Sequence, residues 1–276
     1  MRWRYLFAPD ARPPALVPAM MIGYMANNVL PLRAGEFVRV YVVSRNWANG
    51  FWAALATLIM ERVLDSLSLV LILGVLVLLI PVPALFRNAA LVVLAIDVVG
   101  VAVLAWLVIY PESGRRMLRR LGRRWPALDA RLSRMYHRFV LGLDGIRTAS
   151  NVIPLLVWTV IVWVLPAIAA WSTLRAVDLH LPFLAGWAVL AFVGLGISIP
   201  SAPGYIGVFH VAAAKAVEIF GLSSSAAVAF AIVFHASQFV PVTLLGWLYL
   251  LREGLSLGEA TKARAPLTDD LPPPTA

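Results

Sequence analysis

Residues 61–81 read ERVLDSLSLVLILGVLVLLIP, and this stretch decides the class of fold. Glu61, Arg62 and Asp65 stand near its start, and the remainder is almost entirely Leu, Val and Ile. About 20 apolar residues in an α-helix cross the hydrocarbon core of a bilayer. The stretch therefore predicts a membrane-spanning helix over 63–81, with its charged residues at one end.

The rest of the chain has the same apolar character. Of its 276 residues, 61% are hydrophobic and 13% are charged, whereas an ordinary soluble domain has about 25% charged residues. Further spans are predicted over 89–110, 152–173, 183–199 and 227–250. We expect an all-α, polytopic membrane helix bundle with about five full spans plus two broken helices. The composition excludes a soluble enzyme, a disordered chain and a nucleic-acid-binding protein.

Positive charge is concentrated between two of these spans. Residues 111–150 hold ten arginines and three acidic residues, a net charge of +7, which predicts a cytoplasmic loop. Arginines recur every four residues from 115 to 124, a stripe that either binds anionic lipid or only sets the topology. Basic residues after the last span place the C-terminus on the same side. The sequence thus divides into a membrane domain, 1–252, and a tail, 253–276, that we expect to be cytoplasmic and disordered.

Two further segments are apolar but interrupted. Residues 15–31 and 204–220 contain Pro, Gly, Asn or charged residues within short apolar runs. Such runs are typical of broken or re-entrant helices buried among complete spans. Arg2, Arg4 and Arg12 favour a cytoplasmic start, so the first segment is expected to enter and leave the membrane on that face.

The first candidate site follows the first broken segment, where residues 27–39 read NNVLPLRAGEFVR. Arg33 and Arg39 are suited to binding a lipid phosphate, and Glu36, three residues before Arg39, would orient it. Charges at this depth are costly, which favours a functional site, although a structural ion pair explains the same residues. The supporting broken-helix positions are Asn27, Asn28, Pro31 and Gly35.

The second candidate site is the trio Glu61, Arg62 and Asp65. The spacings of three and four residues place Asp65 on the same helix face as the other two. One cation against two acids leaves a net negative charge, which predicts an arginine partner from the first site, Arg33 or Arg39. The trio either holds two helices together or takes part in headgroup binding or proton coupling.

The third candidate site is residues 199–210, IPSAPGYIGVFH, which the preceding span is expected to deliver near the cytoplasmic side. A Pro/Gly break between two apolar segments is typical of transporter helices. The Pro-to-Gly spacing of the first site recurs here, which suggests an internal repeat, although about one such spacing is expected by chance. The supporting positions are Pro200, Pro203, Gly204, Gly207 and His210.

Signatures of enzymes and metal sites are missing from the sequence. The chain has no cysteine, which excludes disulfides and cysteine-ligated metals. It has no Gly-x-Ser-x-Gly, no His-Glu-x-x-His and no phosphate-binding glycine loop. His210 and His235 without a set of carboxylates make a weak metal site. We therefore expect no metal, no cofactor and no enzymatic activity.

The three sites together resemble a known family. Gly-Tyr-x-x-Asn-Asn-x-x-Pro-x-Arg-x-Gly-Glu-x-x-Arg over 23–39, Glu-Arg-x-x-Asp over 61–65 and Pro-x-x-Pro-Gly-x-x-Gly over 200–207 occur in that order. This pattern is similar to the lysylphosphatidylglycerol synthase transmembrane region, also called the flippase-like domain. The resemblance covers about residues 15–252.

The resemblance implies a multi-pass protein of the bacterial inner membrane, similar to the flippase half of the multiple peptide resistance factor. That half moves aminoacylated phosphatidylglycerol to the outer leaflet. By this resemblance, the headgroup path is lined by Arg33, Glu36, Arg39, Glu61, Arg62 and Asp65.

Three departures from the family pattern are apparent. The aminoacyl-transferase domain of full synthases is not in this sequence, so we expect that the chain alone does not make lysylphosphatidylglycerol. The start, MRWRYL, reads as the cytoplasmic end of an earlier helix, which suggests that one or two helices of the family are missing. His210 stands where many relatives have an acid.

The expected function is that of a lipid translocase. It would move a phosphate-bearing lipid, either aminoacylated phosphatidylglycerol or a glycolipid or isoprenoid lipid, between leaflets. Expected partners are membrane lipids, with a separate lipid synthase or a second copy of the chain as candidate protein partners, and no nucleic acid. Two alternatives stand beside it: a membrane-embedded lipid-modifying enzyme with Glu36 or Asp65 as base, and a non-catalytic subunit that positions a synthase.

Overall fold

The chain folds into α-helices joined by short turns. The computed structural model describes residues 2–45, 47–122, 126–198, 201–255 and 258, without the side chains of 118–122 and 126–130. These residues contain no strand. The helices are α1 (Leu16–Val29), α2 (Gly35–Ser44), α3 (Gly50–Leu79), α4 (Ala84–Ile109), α5 (Pro111–Gly122), α6 (Pro126–Gly142), α7 (Asp144–Arg147), α8 (Ala149–Ala176), α9 (Phe183–Ser198), α10 (Val208–Glu218) and α11 (Ser224–Arg252).

Three short 3-10 helices complete the described secondary structure: Arg2–Leu6, Pro9–Ala11 and Pro203–Tyr205. Some predicted features lie outside the described residues. These are Pro200, the tail beyond Leu255 apart from Gly258, and the side chains of Arg119, Arg120, Arg123 and Arg124.

Four helices are long and apolar enough to cross a membrane. They are α3, α4, α8 and α11, with 26 to 30 residues each. The predicted span at 183–199 is the apolar helix α9, whose 16 residues extend about 24 Å, less than the roughly 30 Å of a hydrocarbon core. The predicted class, an all-α membrane helix bundle, is confirmed, with four long spans and shorter apolar helices between them.

The charges of 61–65 do not stand at the end of a span. Helix α3 begins at Gly50 rather than at 63, because residues 51–60, FWAALATLIM, contain no helix breaker. Glu61 is therefore the twelfth of 30 residues in the helix. A charged cluster near the middle of a long apolar helix needs partners from its neighbours.

The outer surface of the bundle suits lipid rather than water. In α4 the buried residues are Phe86, Asp97 and Leu104, a stripe at helical spacing, whereas most of its leucines and valines are exposed. Asp97 accepts a hydrogen bond from the Ser66 hydroxyl of α3. The buried stripe therefore attaches α4 to α3, through Asp97 and Leu104, and to α9, where Phe86 stacks on Phe192. The remaining faces of α4 are apolar.

Each predicted broken segment, 15–31 and 204–220, forms one arm and part of the turn of a helical hairpin. Helices α1 and α2 have 14 and 10 residues, and the turn between them contains Leu32 and Arg33 at φ values of 58° and 56°. Helices α9 and α10 have 16 and 11 residues, and their connection contains Gly204, Tyr205 and Gly207, also at positive φ. Left-handed backbone at both turns reverses the chain within a few residues.

The two hairpins point toward each other. Helix α1 packs antiparallel to α11, with Asn28 at Thr243 and Met25 at Gly246, and α10 also runs antiparallel to α11. Hence α1 and α10 run the same way. Because the first turn follows α1 and the second precedes α10, the two turns meet tip to tip.

The meeting point lies at mid-length of α11. His235 contacts the Gly204 carbonyl oxygen at 2.8 Å, and Asn28 donates to Thr243 Oγ1 at 2.8 Å. His235 and Thr243 are the twelfth and twentieth of the 29 residues in α11. The second turn was expected near the cytoplasmic side. It lies instead at the middle of a span, since α9 is too short to cross and α10 turns back at once.

The basic loop, residues 111–150, packs against the N-terminal part of α3. Helices α5 and α6 form a pair in which Tyr136 donates to the Pro111 carbonyl oxygen at 2.8 Å. Gly142 lies against the backbone of Ala53, and Phe139 packs beside Leu143. The C-terminal half of α6 therefore packs against the helix bundle.

Glycine decides how closely the first hairpin closes. A Cβ atom added at Gly35 would lie 2.0 Å from the Gly23 carbonyl oxygen and 2.5 Å from the Asn27 nitrogen. A backbone oxygen cannot move aside as a flexible side chain can. Substitution therefore requires α1 and α2 to separate.

We predict that Gly35→Ala lowers the free energy of unfolding by about 2 kcal/mol or more, as is typical when a tightly packed contact is overfilled. The measurement is denaturant unfolding of the purified protein in detergent. Gly74→Ala is the matched control, because an added Cβ there meets nothing within 4 Å. Equal stability of the two variants would contradict the close packing of the hairpin.

Candidate functional site

Six charged side chains from three parts of the chain meet in one ion-pair network. We call this the charge network: Arg2, Glu36, Arg39, Glu61, Arg62 and Asp65. The short helix Arg2–Leu6 supplies one member, α2 supplies two and α3 supplies three. The sequence grouped five of these six with Arg33, and the structure brings the five together and adds Arg2.

Arg39 is the most deeply buried member. Its side chain is 1% exposed, with Nη2 2.8 Å from Glu36 Oε2 and Nη1 3.3 Å from both carboxylate oxygens of Glu61. The guanidinium carbon lies 4.9 Å from the centre of the Trp3 ring. Trp3 is fixed in turn by its indole nitrogen, which donates to Thr57 Oγ1 at 3.0 Å. The Arg39 guanidinium therefore contacts two carboxylates and one aromatic ring.

Glu61 is the centre of the network. Its Oε1 lies 2.7 Å from Arg62 Nη2, 3.3 Å from Arg39 Nη1 and 3.4 Å from Arg2 Nη2. Asp65 bridges two of the same arginines, with Oδ1 2.5 Å from Arg2 Nη1 and Oδ2 3.0 Å from Arg62 Nη2. One buried carboxylate therefore holds three cations, and a second carboxylate ties two of them together.

The extra acid of the 61–65 trio is balanced by partners from elsewhere in the chain, so that the network is neutral, with three arginines and three carboxylates. Arg39 is one of the two partners predicted, and Arg2 completes the balance. The sequence suggested a topological role for Arg2, on the cytoplasmic side. Charge counting could have indicated a third cation, but nothing local links Arg2 to residues about 60 positions away.

Exposure is graded across the network. The side chains of Arg39, Glu61 and Arg2 are at most 5% exposed, whereas Asp65 is 23% and Arg62 is 35% exposed. A headgroup approaching the network would therefore meet Arg62 and Asp65 before any other member.

Arg33 lies outside this network. Its Nε donates to the Tyr205 hydroxyl at 3.4 Å, and its guanidinium carbon lies 5.8 Å from the centre of the same ring. It forms no ion pair with any carboxylate that the structure describes. Arg33 and Arg39, predicted as a pair, are therefore in different surroundings, one at a hairpin tip and one within the charge network.

The second tip closes against the first around Gly204. Its φ of 64° turns the chain beneath Asn28, and an added Cβ would lie 2.6 Å from Phe239 and 3.3 Å from the Asn28 carbonyl oxygen. His235 contacts the Gly204 carbonyl oxygen. Only glycine permits this approach, so the close contact of the tips explains the residue type.

The remaining predicted positions support the two turns. Asn27 is buried against Gly35, and Pro31 is exposed at the first turn. Pro203 begins the short helix Pro203–Tyr205, and Gly207 at φ 88° precedes α10 and donates its N–H to His210 Nδ1 at 3.3 Å.

The two histidines expected on neighbouring helices do meet. The ring centres of His210 and His235 are 4.7 Å apart, and His235 also lies 4.6 Å from the Phe209 ring centre. Among the described residues, no group of three or more His, Cys, Asp or Glu is arranged to hold a metal ion.

We predict that Glu61→Gln lowers the free energy of unfolding by about 3 kcal/mol, because it leaves buried arginines without their shared counter-charge. The double variant Arg39→Met/Glu61→Met should lose less, because two cations and two anions remain. Denaturant unfolding in detergent measures both.

Glu112→Gln is the control for this prediction. That carboxylate is 70% exposed and lies 3.7 Å from Arg115. Surface pairs of this kind contribute about 0–1 kcal/mol. A loss for Glu61→Gln no larger than that of the control would contradict the central role of Glu61.

Comparison with known proteins identifies the family. A family model described as the lysylphosphatidylglycerol synthase TM region matches residues 1–246. No match was found among curated proteins, and none among solved structures. The family match covers most of the chain and agrees with a bundle of long apolar helices. The chain therefore belongs to the family of lysylphosphatidylglycerol synthase TM regions, multi-pass membrane proteins tied to lipid handling.

Proposed function

We propose that this protein moves a phosphate-bearing lipid between the two leaflets of a bacterial plasma membrane. The observation that carries the proposal is the meeting of two hairpin tips at mid-length of α11, with Arg33 of one tip over Tyr205 of the other. A translocation path requires a headgroup site between the two membrane surfaces. Broken helices that meet at such a depth are typical of transporter substrate sites.

Arg33 is suited to the phosphate of a lipid. A guanidinium offers several N–H donors in one plane and binds phosphate oxygens through two of them at once. Arg33 forms no ion pair with a described carboxylate, so no protein anion competes with the ligand for its charge. The hydroxyl of Tyr205, the residue that the sequence did not indicate, supplies a second polar group at the same tip.

The charge network provides a rigid support beside this path. It binds α2 to α3 through pairs that are largely shielded from solvent, and it is neutral overall. A neutral support neither repels a lipid phosphate nor captures it in place of Arg33. Arg62, the most exposed member, is positioned to contact a passing headgroup at the edge of the network.

The opposed hairpins suggest how access alternates. Each hairpin reaches the meeting point from one side of the bundle. Arg33 of one tip donates a hydrogen bond to Tyr205 of the other, and the remaining polar contacts at this depth join each tip to α11. Small displacements of one hairpin against the other would open the Arg33 site to one side at a time. Rocking of two similar elements around a fixed site is a general mechanism of secondary transport.

Orientation follows from charge. With α5 and α6 on the cytoplasmic side, as the positive-inside rule requires, α11 ends on that side, so the C-terminus is also cytoplasmic. The first hairpin then reaches the meeting point from the cytoplasm, and the second reaches it from the outside. Lipids made on the cytoplasmic face would meet the first hairpin first. An anionic or aminoacylated phospholipid fits the chemistry of the Arg33 site.

The ion pairs of the network's three carboxylates favour translocation over lipid modification. Glu36, Glu61 and Asp65 each contact two or more arginines, and a carboxylate held in this way is a weak general base. The proposal therefore assigns no catalytic residue to the chain.

We predict that Arg33→Ala slows lipid translocation at least about tenfold, equivalent to about 1.4 kcal/mol, whereas Arg33→Lys keeps more of the rate because it keeps the charge. The measurement uses liposomes containing the purified protein and fluorescent phosphatidylglycerol. The fraction of probe bleached by an impermeant reductant then reports transfer between leaflets.

Arg87→Ala is the matched control, because Arg87 is exposed at the start of α4, far from both tips. Rates that are equal in wild type and Arg33→Ala would contradict the assignment of the site. A wild-type protein that is inert in liposomes but co-purifies with a lipid synthase would favour a partner subunit. New lipid species in the same liposomes would favour an enzyme.

A further inference from the structure

A second concave site lies beside the start of α1. A cavity of about 410 Å³ is formed by residues between Arg4 and Met20, and two arginines face it, Arg4 and Arg12. The other lining residues are apolar, among them Leu16 and Val17, and none is acidic. A cavity with two cations, no acidic residue and an apolar wall differs from the charge network, in which every arginine is paired with a carboxylate.

Arg12 is held in position by neutral groups. Its Nη2 donates to Asn151 Oδ1 at 3.0 Å, and its guanidinium carbon lies 5.4 Å from the centre of the Tyr5 ring. Asn151 is fixed by its own amide, which donates to the Phe7 and Gly145 carbonyl oxygens at 3.1 Å. These contacts orient the guanidinium without neutralising its charge.

No described carboxylate is paired with the positive charge of the cavity. The Arg12 Nε is buried and has no hydrogen-bond acceptor among the described residues, and neither Arg4 nor Arg12 is ion-paired with a described carboxylate. An anionic ligand in the cavity would therefore meet two guanidinium groups whose charge no described carboxylate neutralises, which favours its binding. Helix α1 begins in the cavity wall at Leu16, and its first N–H groups add a partial positive charge.

We propose that this cavity binds the phosphate group of an anionic phospholipid, with Arg4 and Arg12 on the phosphate oxygens and an acyl chain along Leu16, Val17 and Met20. The volume suits a headgroup with part of its chains, and the apolar wall has no role in binding a free inorganic ion. Charge-assisted hydrogen bonds from two guanidinium groups supply the affinity.

The site is distinct from the one at Arg33. The 14 residues of α1 separate the two by about 21 Å, one at the start of the helix and the other just after its end. The short helix Arg2–Leu6 places Arg2 in the charge network and Arg4 at the cavity. The inference does not rest on translocation, because it concerns binding alone.

Native mass spectrometry of the full chain in a neutral detergent, titrated with dioleoyl phosphatidylglycerol, tests the proposal. Arg4→Gln and Arg12→Gln should each weaken binding about tenfold, since each removes one charged donor to the phosphate. Val17→Trp should weaken binding without a change of charge, because the larger side chain fills the cavity. The control is Arg45→Gln, an exposed arginine at the end of α2, which should leave binding unchanged.

Three results would overturn the proposal. The first is equal lipid affinity in wild type and all of the variants. The second is an equal loss in Arg45→Gln, which would indicate general attraction to basic surface charge. The third is displacement of the lipid by inorganic phosphate at about millimolar concentration, which would assign the cavity to a free anion.

Arg4→Gln keeps the test independent of folding, because Arg4 is exposed and donates no described hydrogen bond.

Discussion

The contact between Glu61 and three arginines is the constraint on which the rest of the structure depends. A charged group inside an apolar bundle is stable only with partners at close range, because little water is present to screen or solvate it. Glu61 lies near the middle of α3, so Arg2, Arg39 and Arg62 must all reach that depth. This requirement brings α2 and the chain's first residues against α3, and it determines where the first hairpin lies.

A second requirement acts on the short helices. Backbone N–H and C=O groups at a broken helix cannot face lipid, so each hairpin turn needs protein around it. The two turns meet this need together. Asn28 and Thr243 join α1 to α11, and His235 contacts the carbonyl of Gly204 beneath Asn28. The polar groups that this arrangement gathers at one depth include Arg33, which forms no ion pair with a described carboxylate, and the proposed function is based on that arrangement.

The sequence predicted those features of the arrangement that depend on the spacing of residues along the chain. Apolar runs predicted the long helices, and the three- and four-residue spacings within 61–65 predicted a charged face that needs an arginine partner. It failed where the partner is distant. Arg2 and Tyr205 were not indicated, and Arg33 was grouped with Arg39 because the two are close in the chain. The chain turns at Leu32 and Arg33, where the backbone is left-handed. Arg33 therefore lies beside Tyr205, whereas Arg39 lies beside Glu61.

The sequence by itself determined the membrane-embedded helical class, the interruptions near Pro31 and Gly204 and the stretches where charge must be compensated. These properties are local, because hydrophobic length, helix breakers and charge are all read within about 20 residues. Only the tertiary structure decided that the network is neutral, that α1 and α10 bring two turns together at mid-length of α11, and that Arg33 faces Tyr205. Such outcomes depend on which helices touch, and a close contact such as Gly23 with Gly35 becomes visible only once the backbones are in place.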